Sequence, residues 1–281
     1  EAIIKYIEEL DGVKLTLDKL EVPDEDFKRA RKEITPTLLK AIEHAIENLR
    51  RFHSEQMPRR IWFTEVEEGI HVGLQATPLA RVGLYIPAGK GRFPSVVPML
   101  GVPAKVAGVD EVVLCTPPID GFGDPATLVA AKLLEIDRVF RVGGVPAVAA
   151  MAYGTQTIPR VDKIVGPGGP YVSAAKMLVR DSVALGTPAG PSEVMVLADE
   201  SADPRIAAAE VLSESEHGPD SPGILVTTSD NVAKEVNRKI EELLPLIPDW
   251  RRRFAVEALE KYGAIIVCKD MDEAINFVNE Y

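Results

Sequence analysis

The stretch VGLYIPAGKGRFPSVVPMLGVPAKVAGVDEVVLC, residues 82–115, decides the fold. It opens with a short apolar run, VGLYI, and passes through a Gly-rich turn. A helix-like segment, PSVVPMLGVPAKVAG, leads into a second apolar run, EVVLC. Strand, helix and strand at this spacing make a parallel pair joined by a crossover helix. The rhythm continues outward on the C-terminal side, with strands RVF and KIV separated by helices DPATLVAAKLLE and PAVAAMAYG. A second series starts at Glu193. Its strands EVMVLAD, GILVTTS and AIIVCKD alternate with helices DPRIAAAEVLSESEH, DNVAKEVNRKIEELLPL and MDEAINFVNE. The expected fold class is α/β, with two doubly wound Rossmann-like lobes built on parallel sheets.

On the N-terminal side the pattern differs. From Pro23 to about Gln56 apolar residues recur three and four apart, as on an amphipathic helix. Thr35 before Pro36 is a helix start, so two helices are expected there. The segment from Ile61 to Gly89 is rich in β-branched and aromatic residues, and Glu68-Gly69 marks a turn. It reads as a hairpin followed by a strand. Residues 1–81 thus form N-terminal helices and a β-hairpin, expected to pack with the second lobe. Residues 82–190 form the first lobe and residues 191–281 the second. The boundary falls in TPAGPSE, residues 187–193, which is dense in Pro and Gly.

Composition narrows the function. The 281 residues are 46% hydrophobic and 27% charged, an ordinary globular balance. A net charge of −11 argues against nucleic acid as a partner, because phosphate binding needs a basic stripe. The triplet Arg251-Arg252-Arg253 reads as a solvated helix face. Cys115 and Cys268 end apolar runs and read as buried strand residues, neither a disulfide framework nor metal ligands. No apolar run is long enough to span a membrane and no signal peptide is visible, so the chain is expected to be cytoplasmic. Few amides stand against 43 acidic and 32 basic side chains, a balance that fits tolerance of heat. The chain opens without Met and closes at Tyr281, both inside helix-like patterns, and both ends read as cut.

Several places have the residues for chemistry. The turn after VGLYI, the turn RVGGVP at residues 141–146 and the turn VGPGGP at residues 165–170 each join a strand to a helix. Glycine at such turns lets the backbone bend tightly or touch a ligand, and free N–H groups there suit a phosphate. Three such turns in one lobe would line one sheet edge, where doubly wound folds bind ligands. Ser192 in TPAGPSE opens the next strand, and as a nucleophile it would need a base nearby. Near the end of the following helix, in SESEHGPD, Glu214 and His217 stand three residues apart and share a helix face. A carboxylate and an imidazole so spaced suit a divalent metal such as zinc, whereas a histidine at a helix C-terminus can also serve the helix dipole alone. His44, His53 and His71 lie in helix or hairpin patterns and read as structural.

The segments GLYIPAG, PAKVAGV, RVGG with PAVAAMAYGT, IPRVDKIVGPG, AGPSEVMVLAD and SEHGPD, in this order, resemble the histidinol dehydrogenase family from about Asp11 to Tyr281. The resemblance implies a homodimer with two nucleotide-fold-like lobes and a small C-terminal domain. It implies two NAD-dependent oxidation steps from L-histidinol to L-histidine, with a zinc ion that grips the substrate. By the same resemblance Tyr85 contacts NAD, with Gly89 and Gly168 in the cofactor turns. Ser192, Glu214 and His217 would bind the substrate, and Glu214 and His217 the zinc.

The departures from the family pattern are specific. The zinc-binding helix of the family reads Gln-Ala-Glu-His, and here it is Glu214-Ser215-Glu216-His217. The family's Gly-Pro-Gly-Asn, whose Asn contacts NAD, ends in Gly169, and its Gln after two glycines is Pro146. Weak NAD binding follows, since each lost contact costs ~1 kcal/mol. The family's Glu-His acid–base pair is expected directly after FVNEY, with an Asp and a His zinc ligand further on. The chain as given is therefore expected to hold half a zinc site and to be inactive by itself. Three readings follow: a histidinol dehydrogenase, a paralogue acting on another small polar alcohol, and a non-catalytic binding or assembly protein on the same fold.

Overall fold

The structure is a computed structural model of residues 1–281, and it describes every residue except Lys90, Asp137, Pro188 and Pro191. Parts of the turn at residues 86–91 and of the boundary at 187–193 therefore lie outside the described residues. The chain divides into two compact units, Glu1–Gly190 and Pro191–Tyr281.

The first unit opens with three helices, α1 (Ala2–Asp11), α2 (Asp24–Glu33) and α3 (Pro36–Glu55). Thr35 caps α3, its Oγ1 accepting the N–H of Leu38 at 3.2 Å, and Pro36 takes the first helical position. A hairpin follows, β1 (Ile61–Glu67) and β2 (Ile70–Gln75), turning at Glu68 and Gly69. The remaining elements alternate: β3 (Arg81–Tyr85), α4 (Val96–Val106), β4 (Glu111–Thr116), α5 (Pro125–Leu133), β5 (Arg138–Arg141), α6 (Gly144–Tyr153), β6 (Lys163–Val165), α7 (Pro170–Val179) and β7 (Ala184–Leu185). Asp124 caps α5 by accepting the N–H of Thr127 at 2.9 Å. The five strands from β3 on are parallel in the order β5-β4-β3-β6-β7. The chain winds outward from β3 in one direction and, after β5, returns to wind in the other. Neighbouring β3 and β6 thus mark the switch point, at whose carboxyl edge sheets of this kind bind ligands.

Side chains alternate across this sheet, and each face has its own core. Val82, Leu84, Val112, Leu114 and Val139 face one side and pack with α2, α3, α4 and α5 through Phe27, Ala30, Ile42, Ile46, Val97, Val102 and Leu128. Tyr85, Val113, Cys115, Phe140 and Ile164 face the other, with Ile7 of α1 and the apolar sides of α6 and α7. Gly83 lies under α6: a Cβ there would sit 2.6 Å from the sulfur of Met151.

This placement corrects the expectation that the N-terminal helices pack with the second lobe. They complete the first. The segment before α2 runs antiparallel along the outer edge of β5, with Val22 donating to the Val139 carbonyl and Arg141 to that of Leu20, both at 2.8 Å. Arg141 locks it: its side chain, 3% exposed, ion-pairs with Asp26 and donates at 2.6 Å to the carbonyls of Phe122 and Lys19. Local periodicity shows that α2 and α3 each own an apolar stripe. It does not show which sheet face is free to receive it.

The second unit runs β8 (Val194–Ala198), α8 (Pro204–Ser215), β9 (Gly223–Thr227), α9 (Asp230–Leu243), α10 (Asp249–Tyr262), β10 (Ala264–Val267) and α11 (Met271–Glu280). Its parallel strands lie in the order β10-β9-β8. One face packs on α8 and α9 through Leu225, Ala208, Val232 and Val236, the other on α11 through Ile224, Val226 and Ala274. Both cysteines are free and buried, as their apolar runs imply. Among the described residues no helix is long and apolar enough to cross a membrane.

Candidate functional site

The first constellation is the switch-point edge of the five-stranded sheet. Tyr85 ends β3, and its ring is buried, 4% exposed. Its hydroxyl oxygen accepts the N–H of Gly144 at 3.1 Å, in the first turn of α6. Gly144 has φ +60° and Gly166 φ +122°, left-handed conformations that favour glycine. At Gly166 a Cβ would lie 2.1 Å from the Tyr85 carbonyl oxygen, and at Gly168 one would lie 2.4 Å from Val172 and 3.5 Å from the Tyr85 ring. Two glycine turns distant in sequence thus converge on one tyrosine. Tyr85 organises the edge from inside, since its ring is buried and its oxygen already bonded. Burial also raises its pKa above the ordinary phenol value.

Lys176 of α7 belongs to the same cluster and carried no signal in the sequence. It is buried, its ammonium donates to the Gly166 carbonyl, and its Nζ stands 5.9 Å from the centre of the Tyr85 ring. Burial lowers its pKa. Gly89 and Gly169 differ from their neighbours, because a Cβ on either would meet nothing within 4 Å. Gly169 is the N-cap of α7 with φ −66°, a conformation open to any residue. Pro146 sits in the first turn of α6, where no helical hydrogen bond is lost to it.

The second constellation lies within the second unit, at the C-terminal end of α8. The Ser192 hydroxyl donates to Glu214 Oε1 at 2.7 Å, so these two predicted residues are in direct contact. His217 follows the last turn of α8 and is exposed. Its Nδ1 lies 2.8 Å from the Ser213 carbonyl oxygen. A carbonyl only accepts, so Nδ1 carries a proton in this contact, and Nε2 is the ring nitrogen left to act as a ligand. A backbone carbonyl on the far nitrogen is the usual support behind a metal-binding histidine. Glu216, between the two, turns away and ion-pairs with Arg251 at 2.7 Å. Arg251 is only 19% exposed, which corrects the reading of the arginine triplet as a wholly solvated face. A sequence 35 residues away could not announce that pairing. Glu214 and His217 offer a carboxylate and an imidazole, a donor set that fits two positions of a zinc site. Among the described residues no group of three or more His, Cys, Asp and Glu could hold a metal. The remaining histidines have local roles: His44 pairs with Asn48 and His53 with Gln56, while His71 faces Glu65 across the hairpin.

The histidinol dehydrogenase family model matches residues 1–281. The chain belongs to that family. Histidinol dehydrogenase from Methanosarcina mazei is 45% identical over the whole chain, and that from Synechocystis sp. is 43% identical over 99% of it. A protein of Colwellia psychrerythraea described as a histidinol dehydrogenase homolog is 42% identical over the whole chain. The chain spans about 64% of the length of each of these relatives. The crystal structure of histidinol dehydrogenase from Elizabethkingia anophelis matches at TM-score 0.91 and 38% identity, over all of this chain and 64% of that one. An NAD-dependent aldehyde dehydrogenase from Sinorhizobium meliloti shares the fold alone, at TM-score 0.54 and 16% identity over 72% of this chain and 41% of that one.

Proposed function

We propose that the full-length protein oxidises a small amino alcohol to its acid in two NAD-dependent steps, by default L-histidinol to L-histidine. The observation that carries this reading is the Ser192–Glu214 contact beside a histidine whose Nε2 is left to act as a ligand, in a chain of the histidinol dehydrogenase family. Glu214 and His217 would hold a zinc ion, which when bound supplies a Lewis acid that polarises the alcohol oxygen. Ser192 and Glu214 offer a hydroxyl and an anionic acceptor, which suit the amino and hydroxyl groups of such a substrate. On the other unit, the glycine turns around Tyr85 bring the N-termini of α6 and α7 to the sheet's switch point, where a dinucleotide phosphate is at home. Two copies of the protein would pair as a homodimer in the cytoplasm.

A second reading, a paralogue acting on another small polar alcohol, is favoured by Glu214, Gly169 and Pro146. The relatives do not separate the two: one described as a homolog is 42% identical, beside 43% for a histidinol dehydrogenase.

The test uses the full-length protein. NADH formation with L-histidinol, loss of both zinc and activity in His217→Ala, and retained fold in that variant are the expected results. Zinc unchanged in His217→Ala rejects the proposed metal site. No NADH with histidinol, but turnover of another amino alcohol, selects the paralogue.

A further inference from the structure

The hairpin β1–β2 is the one sheet of the described residues in which every strand residue is exposed. Its side chains are not those of a solvated ribbon. Ile61, Phe63, Val66, Ile70, Val72 and Leu74 are between 48% and 65% exposed, and Trp62 40%. An isolated two-stranded ribbon is marginal in water, and its open edges invite pairing. The ribbon is nevertheless paired along its length, with a register shift between Glu65 and Glu67, and sets Trp62 opposite Leu74 and Thr64 opposite Val72 on one face. On the other face the Phe63 ring lies over Gly73, where a Cβ would come within 2.5 Å of it.

The charges say what covers it. Arg59 and Arg60 lie at the base of the hairpin, and Glu67 and Glu68 at its tip, all exposed. Laid antiparallel about a two-fold axis, two such hairpins bring each basic base against the other's acidic tip. The same motion sets Trp62 and Leu74 of one copy against Thr64 and Val72 of the other. A contact of this kind is self-complementary, as a two-fold interface must be. A parallel arrangement would put arginine on arginine and glutamate on glutamate.

We propose that the hairpin is a pairing arm that docks antiparallel on the hairpin of a second copy of this chain, tip to base. The proposal rests on the pairing suggested above and locates its contact. Sedimentation of the full-length protein across concentration tests it. Arg59→Glu with Arg60→Glu should weaken the dimer about tenfold or more, and adding Glu67→Arg with Glu68→Arg should restore it to within about threefold, since like charges facing each other oppose association. Trp62→Glu with Leu74→Glu should give monomer with an unchanged circular dichroism spectrum. If that variant misfolds, the charge-reversal set still decides. A dimer that none of these changes moves overturns the arm and leaves pairing intact. A monomer at every concentration overturns both.

Discussion

Gly169 and Gly166 sit three residues apart in one turn and answer to different constraints. At Gly166 the left-handed φ and the 2.1 Å approach to the Tyr85 carbonyl require glycine. Gly166→Ala should therefore destabilise the protein by more than ~1 kcal/mol in urea titration, with the glycine turns displaced. Gly169 has an ordinary φ and open space around it. Gly169→Asn should leave stability unchanged and tighten NAD about fivefold by calorimetric titration, as one added hydrogen bond of ~1 kcal/mol would. An unchanged affinity would remove Gly169 from the cofactor argument. Tyr85 and Cys115 are register partners on the same buried face, and burial raises the pKa of both. The folded state keeps protons that the unfolded chain releases, so their contribution is complete below the unfolded thiol value of ~8.5 and is lost as pH rises beyond it. Buried Lys176, with its pKa lowered, acts in the opposite sense over the alkaline range. Cys115→Ala should flatten the fall of unfolding free energy between about pH 8.5 and 10, measured by urea denaturation at each pH.

At the scale of elements, the strand–helix alternation was legible because each apolar run is short and some helices begin at a side-chain cap, as at Asp124 and Thr35. The order of the strands was not, since parallel partners such as β3 and β6 are separated by two whole βα units. The docking of α2 failed to show for the same reason: it depends on Arg141, Asp26 and the edge of β5, far apart in the chain. Arg141→Ala should be strongly destabilising, by roughly 3–5 kcal/mol, because it leaves Asp26 without its buried partner and two carbonyls without a donor. Arg141→Met removes the charge but fills the space; a loss as large with Asp26→Asn present as without it would show that the hydrogen bonds to the Phe122 and Lys19 carbonyls, and not the ion pair, hold the segment.

For the whole molecule, the candidate residues fall into two groups, one within each unit. Ser192, Glu214 and His217 were readable because they stand close in sequence on one strand opening and one helix end. Tyr85 was readable through family resemblance, but its buried, inward role was not. Lys176 and Arg251 were invisible, because a buried cation in an amphipathic helix and a surface arginine have the same local sequence. Both act by holding another group, the Gly166 carbonyl and Glu216.

The antiparallel seam between residues 20–22 and β5 has a consequence for how the chain is made. Its two halves are about 120 residues apart, and the ribosome adds roughly 5–20 residues per second. Residues 20–22 therefore leave the exit tunnel about ten seconds before the strand that pairs with them. In that interval the backbone groups of Leu20 and Val22 that the seam will pair stay with water. Until β5 emerges, the segment that precedes α2 is open to a ribosome-bound chaperone.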